Sequence, residues 1–162
     1  MNINRLKERV LSAIKVCNAS VEGYKFSFNK RSNVDGSAKG NIHQTNDVTD
    51  KVWGVVFEIA ETDKSGLDEV EGLGKGYNEQ QIHLCDDKGN AIQAQVYTAD
   101  TRAINKEVLP FDWYKAFVFT GAELNNLPAD YIETLKNTTA KLDKNVQRNQ
   151  KQQTILTGIK KP

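Results

Sequence analysis

The feature that most constrains this chain is the run Val52-Trp53-Gly54-Val55-Val56-Phe57-Glu58-Ile59, its most apolar stretch. So many β-branched and aromatic residues in a short segment read as a buried strand. Residues 63–71 then fit a short acidic helix, with Leu67 and Val70 three apart on its buried face. Gly72-Leu73-Gly74-Lys75-Gly76-Tyr77 follows as a glycine-rich turn ending in an aromatic. Strand, helix and turn in that order can carry one carboxylate from a helix end into a pocket walled by strands.

The rest of the chain supplies that pocket with neighbours. Asn4 is placed to cap a helix reaching about Ala13, with Leu6, Val10, Leu11 and Ile14 on one face. Residues 21–30 alternate aromatic and polar, the period of a half-buried strand. Residues 32–41 are a loop by composition, and 42–45 a short strand. Residues 79–85 and 91–97 flank the turn signal Asp86-Asp87-Lys88-Gly89-Asn90 and read as a hairpin. Pro110 opens a helix running to about Leu124, and Pro128 opens another to about Leu135. From about Thr139 the composition changes. Gln147-Arg148-Asn149-Gln150-Lys151-Gln152-Gln153 holds no aromatic and little to bury, so residues 139–162 are expected to be a polar, mobile tail on a domain spanning 1–138. The pattern is α+β, with strands curling around a core.

Several function classes are excluded or left without support. A length of 162 residues suits one domain with a core of its own. A net charge of +1 with 27% charged residues lacks the basic surplus of a dedicated nucleic-acid binder. No apolar run approaches a membrane span, and the first residues carry no secretory signal, so the expected location is the cytoplasm. Cys17 and Cys85 lack CxxC spacing and suit a reducing compartment and buried thiols better than a disulfide. His43 and His83 are single and separated, and no cysteine–histidine spacing suggests a metal. Neither Gly72-Leu73-Gly74-Lys75-Gly76 nor Gly36-Ser37-Ala38-Lys39-Gly40 matches a nucleotide-binding fingerprint, and both are more simply turns. The tail lysines, Lys141, Lys144, Lys151, Lys160 and Lys161, read as a solvated cationic end.

On spacing alone, a solvated glutamate beside Asp68 and Glu69 is the simpler account of Glu71. A set of separate landmarks reverses that balance. Gly23-Tyr24-Lys25-Phe26-Ser27-Phe28 with Lys30-Arg31-Ser32, then Asp35-Gly36-Ser37-Ala38-Lys39-Gly40-Asn41-Ile42, Trp53-Gly54-Val55, Asp68-Glu69-Val70-Glu71-Gly72 and Tyr77 occur in order. Thr120-Gly121-Ala122-Glu123-Leu124 and Leu127-Pro128-Ala129-Asp130-Tyr131 follow. Together, across roughly residues 6–135, they resemble the gamma-glutamylcyclotransferase family. The resemblance implies a small, closed, mostly antiparallel β-barrel flanked by helices. It implies a cytoplasmic enzyme of glutathione metabolism, of lyase or acyltransferase type, that cyclises a γ-glutamyl amide to 5-oxoproline without metal or organic cofactor. It implies Glu71 as catalytic acid/base, with Tyr77, Tyr97 and Tyr114 as substrate-binding residues. Each tyrosine also fits ordinary core with its hydroxyl reaching the surface.

One departure stands out. The family begins with a strand and a Tyr-Gly-Ser-Asn loop whose N–H groups suit an anion. Here Met1-Asn2-Ile3-Asn4-Arg5-Leu6 stands where the helix after that loop begins. The expectation is a start assigned too late or a shortened chain, with activity reduced or absent. Two readings follow: an enzyme taking a small γ-glutamyl substrate, or a non-catalytic relative that binds a small amine-bearing ligand or a partner protein. Neither reading involves nucleic acid or membrane, and oligomeric state is open.

Overall fold

The apolar run forms β4 (Lys51–Glu58), and its ladder partner is β1 (Ile14–Glu22). A computed structural model describes residues 3–45 and 47–158. Met1, Lys160, Lys161 and the side chain of Asn4, all named above, lie outside the described residues. The element order is α1 (Ile3–Lys7), β1, β2 (Tyr24–Arg31), β3 (Ala38–Gln44), β4, α2 (Glu61–Glu71), β5 (Tyr77–Asp86), β6 (Ala91–Ala99), a 3-10 turn (Thr101–Ala103), α3 (Asp112–Leu124), α4 (Ala129–Lys136) and α5 (Val146–Thr157). The α+β class is as expected. Among the described residues no helix is long and apolar enough to cross a membrane.

The expected closed barrel is corrected. The strands form two separate antiparallel sheets, one ordered β4-β1-β5-β6 and one made of β2 and β3. The ribbon leans on the larger sheet, β2 against β4 and β3 against β6, but no ladder joins them. Side chains occupy the seam instead. Asn41 Oδ1 accepts the Ala99 N–H at 2.8 Å, and Asn41 Nδ2 donates to Asn29 Oδ1 at 3.1 Å. A seam closed by side chains satisfies the facing backbone groups as a ladder would, so nothing forces closure.

The strand expected over residues 21–30 is two strands meeting at Gly23. That residue sits at φ +73°, a conformation cheap only for glycine. Its N–H donates to Asp50 O at 2.8 Å and its carbonyl accepts from Thr45 N at 2.7 Å. The chain thereby crosses from the large sheet to the ribbon, and the aromatic alternation belongs to the ribbon alone. The helix expected to reach Ala13 stops at Lys7, because its apolar residues are recruited differently. Leu6, Val10 and Ala13 turn into a cluster with Phe57, Ile59 and Leu67. Val10 is fully buried, worth ~1.5–3 kcal/mol by transfer. Leu11 and Ile14 are exposed, as is Val70, so α2 packs through Leu67 and not through the expected pair.

The hairpin forms as expected, slightly longer, with Asp86 Oδ1 accepting from Lys88 N at 2.9 Å and Asn90 N at 2.7 Å. Cys85 is exposed on it, contrary to the expected buried thiols, and both cysteines are free. A second cluster joins Ala122, Leu127 and Leu135 to Phe26, Trp53, Val55 and Ile132, seating α3 and α4 on both sheets. The segment beyond Thr139, expected to have little to bury, carries α5. Its Ile155 and Leu156 pack on Phe111, Trp113 and Phe117. Asp143 anchors this segment: its carboxylate accepts from Trp113 Nε1 at 3.0 Å and from Arg148 at 2.6 and 2.7 Å.

Candidate active site

Helix α2 ends at Glu71 because Gly72 adopts φ +76° and turns its N–H back onto Asp68 O at 3.0 Å, while Leu73 N reaches the same carbonyl at 2.9 Å. This is the left-handed stop that glycine favours. Gly74 and Gly76 also have positive φ, and the tight loop delivers Tyr77 to the start of β5. Glycine richness here is therefore a device for reversing the chain within a few residues of Glu71. No basic residue lies in the last turn of α2. The complement comes from across the fold: Arg9 Nη1 bonds Glu71 Oε1 at 3.0 Å, with the Glu71 side chain 19% exposed.

Two of the three expected tyrosines converge on one residue, Gly40, at its two flanking peptide groups. Tyr77 O–H donates to Gly40 O at 2.7 Å, and Gly40 N–H donates to Tyr114 Oη at 3.1 Å. Gly40 allows this because any Cβ there would stand 3.0 Å from the Phe26 ring. The two hydroxyls differ in what they leave over. Tyr77 has given its proton to Gly40. Tyr114 accepts in its bond, and its own proton has no acceptor among the described residues. Burial raises the pKa of both phenols, and the Glu71 charge pushes each further in the same direction, which places Glu71 within electrostatic reach of the pair. Both therefore stay protonated at neutral pH.

Tyr97 is not brought to Gly40. Its hydroxyl donates to Asp68 Oδ1 at 2.5 Å, three residues before Glu71 on α2. Burial and that bond raise its pKa. Lys64 pairs with the same carboxylate and with Glu79 at 2.8 Å.

Cationic groups complete the surroundings, and sequence reasoning assigned them no role. Lys39 Nζ lies 4.7 Å from the Tyr114 ring centroid and bonds Asp35 at 2.8 Å. Burial pushes the Asp35 carboxyl up, but the bonds from Lys39 and Ser37 outweigh it and hold the pKa at about 2. Lys30, 8% exposed, lies over Tyr77 with Nζ 4.8 Å from the ring centroid. Only a glycine inside a strand hinted at Gly40, since such a residue marks close approach of another group. Nothing in the sequence singled out Arg9. Taken together, the two phenols on Gly40, the buried Lys30 and the half-buried Lys39 stand together one glycine turn from Glu71.

Comparison with known proteins gives this geometry relatives. The AIG2-like family matches residues 51–135. The chain is 31% identical over 140 residues to Gamma-glutamylcyclotransferase of Mus musculus and 29% identical over 147 residues to that of Homo sapiens, covering 82% of this chain and 73% of each relative. Among solved structures, a gamma-glutamyl cyclotransferase superposes with a TM-score of 0.83 at 24% identity, over 97% of this chain and 92% of its own. An uncharacterized protein from Homo sapiens superposes with a TM-score of 0.80 at 25% identity, over 96% and 92%.

Proposed function

This chain belongs to the gamma-glutamylcyclotransferase-like, AIG2-like family, and we propose that it is an enzyme cyclising a γ-glutamyl amide to 5-oxoproline. The observation that carries this reading is the convergence of Tyr77 and Tyr114 on Gly40 one glycine turn from Glu71, whose charge raises the pKa of both phenols. In the proposed reaction the substrate's α-amine attacks its own γ-carbonyl carbon. The new C–N bond closes a five-membered lactam, and the scissile C–N bond breaks to release an amine or amino acid. Because nucleophile and electrophile share one molecule, the site needs only to hold a folded-back conformer.

Glu71 takes the proton that the attacking amine loses and returns it to the departing nitrogen. The Arg9 ion pair holds its carboxylate in one place in the resting state. The developing oxyanion needs a donor that is idle in the resting state, and the Tyr114 O–H is such a donor. Tyr77 serves as the pocket floor and holds Gly40 in place. Tyr97 acts at one remove, bracing through Asp68 the helix that carries Glu71. The cytoplasm is the proposed location.

The test is release of 5-oxoproline from γ-glutamyl-alanine by the chain and by Glu71→Gln. Turnover that vanishes in Glu71→Gln is the expected result. Turnover unchanged by Glu71→Gln would remove Glu71 from the chemistry. Binding without turnover in both would favour the second reading, a ligand-binding relative, for which the resting Arg9–Glu71 pair is the supporting observation.

A further inference from the structure

Strand β2 departs from its alternation at one place. Asn29 and Lys30 are adjacent and both buried, at 7% and 8% exposure. The β2–β3 register accounts for this, since Phe28 faces Gly40 and Lys30 faces Lys39, with Asn29 bulged between them. A bulge re-aims the side chains beside it. Asn29 turns to Asn41 and to Asn105, whose N–H reaches the Asn29 carbonyl at 2.7 Å. Lys30 is sent under the glycine turn that follows Glu71. A Cβ on Gly76 would stand 3.0 Å from Lys30 Cε and 3.2 Å from Nζ, so the missing side chain there is what admits the ammonium.

Once inside, the ammonium has no hydrogen-bond acceptor among the described residues; only the Tyr77 ring faces it. The nearby Asp35 is taken by Lys39 and Ser37. Arg9, by contrast, is already paired with Glu71 and more open to water. A buried cation without a counter-ion is costly, and burial lowers the Lys30 pKa while Asp35 and Glu71 oppose that. The arrangement is an unpaired cation under the turn that follows Glu71 and within reach of its charge. Its complement is a ligand carrying an anion and an amine on one carbon, the head group of an α-amino acid.

Resting on the function proposed above, we infer that Lys30 binds the α-carboxylate of the γ-glutamyl group while Glu71 receives the proton of the neighbouring α-amine. Lys30 thus selects free γ-glutamyl head groups over those whose α-carboxylate is blocked.

The experiment compares γ-glutamyl-alanine with the same dipeptide carrying a primary amide in place of the γ-glutamyl α-carboxylate, on the wild-type chain, Lys30→Met and Lys30→Arg. On the wild type, amidation should raise KM about tenfold or more with kcat within about threefold. Lys30→Met should raise KM for the carboxylate substrate by the same factor and discriminate no longer between the two. Lys30→Arg should recover part of the preference. A purely structural lysine would leave the preference intact. Thermal unfolding without ligand should show Lys30→Met no less stable than wild type. Equal KM for the two substrates on the wild type, an arm that needs no variant, overturns the inference. If no substrate turns over, calorimetric binding of the same pair replaces KM. Lys30-dependent binding would then uphold the head-group site while the cyclisation reading falls, and absence of binding would end both.

Discussion

Asp143 gives the sharpest test of how the C-terminal segment holds to the fold. Its side chain is 1% exposed and accepts bonds from Arg148 Nε and Nη2, from Trp113 Nε1 and from Asn145 N at 3.0 Å. The Arg148 bonds, against the opposing effect of burial, hold its pKa at about 2, below the ordinary 3.8. A folded pKa below the unfolded one means stability present above pH 3.8 and lost as pH falls through about 2. That depression is worth about 2 kcal/mol at neutral pH. Linkage leaves roughly half of that at pH 3. Asp143→Asn removes the charge but keeps the shape, so it should cost about 2 kcal/mol at pH 7 and lower Tm by roughly 4–8 °C for a chain of this size. The assay is urea unfolding followed by Trp fluorescence at pH 7 and pH 3, with hydrogen exchange across α5. The wild-type advantage should shrink by about half at pH 3, and α5 amides should exchange faster in the variant. An advantage independent of pH, or smaller than about 0.5 kcal/mol at pH 7, would refute the view that this ion pair docks α5.

Tyr114→Phe should lower kcat about 100-fold with little change in KM, since it removes the phenol proton that has no acceptor among the described residues. Tyr77→Phe should cost about 1 kcal/mol of stability, read by urea unfolding, through loss of its bond to Gly40 O, with a far smaller effect on kcat. Gly40→Ala forces the Phe26 ring from its edge contact with Phe28, centroids 5.0 Å apart, and should destabilise by roughly 1–3 kcal/mol in the same assay while impairing 5-oxoproline release.

What the sequence revealed was local and periodic. The apolar strand β4, half-buried and not buried as expected, the hairpin with its aspartate-capped turn, the two proline-opened helices and the stop of α2 at Glu71 each follow from neighbours in the chain. The failures are tertiary. Leu6 and Val10 look like one helical face, yet Val10 and Ala13 reach the cluster from a turn because Phe57 and Leu67 offer a better surface there. Gln-rich α5 has no face of its own and becomes docked through Asp143, Ile155 and Leu156 against aromatics of α3. Glu71, Tyr77, Tyr97 and Tyr114 stand out only through the family resemblance, not through their spacing. Gly40, which binds Tyr77 and Tyr114 together, and Lys30, turned inward by a bulge, depend on register between strands, and no single strand encodes register.

The failed barrel and the position of the site have a common cause. In a closed barrel, the backbone between β3 and β6 would be paired by a ladder, with no polar group left over. Here the seam is held by side chains: Asn41 on Ala99, and Tyr77 and Tyr114 on Gly40. Side-chain closure is adjustable where a ladder is not, because a phenol that accepts a bond still has a proton to give, and a bulge can present an ammonium where pleating would turn it away. Glu71 arrives at this same seam because the glycine turn after α2 leads directly into β5. On the proposed function, the groups that move a proton and bind an anion stand beside this side-chain seam, and tightening it into a continuous ladder would displace Tyr77 and Tyr114 from Gly40.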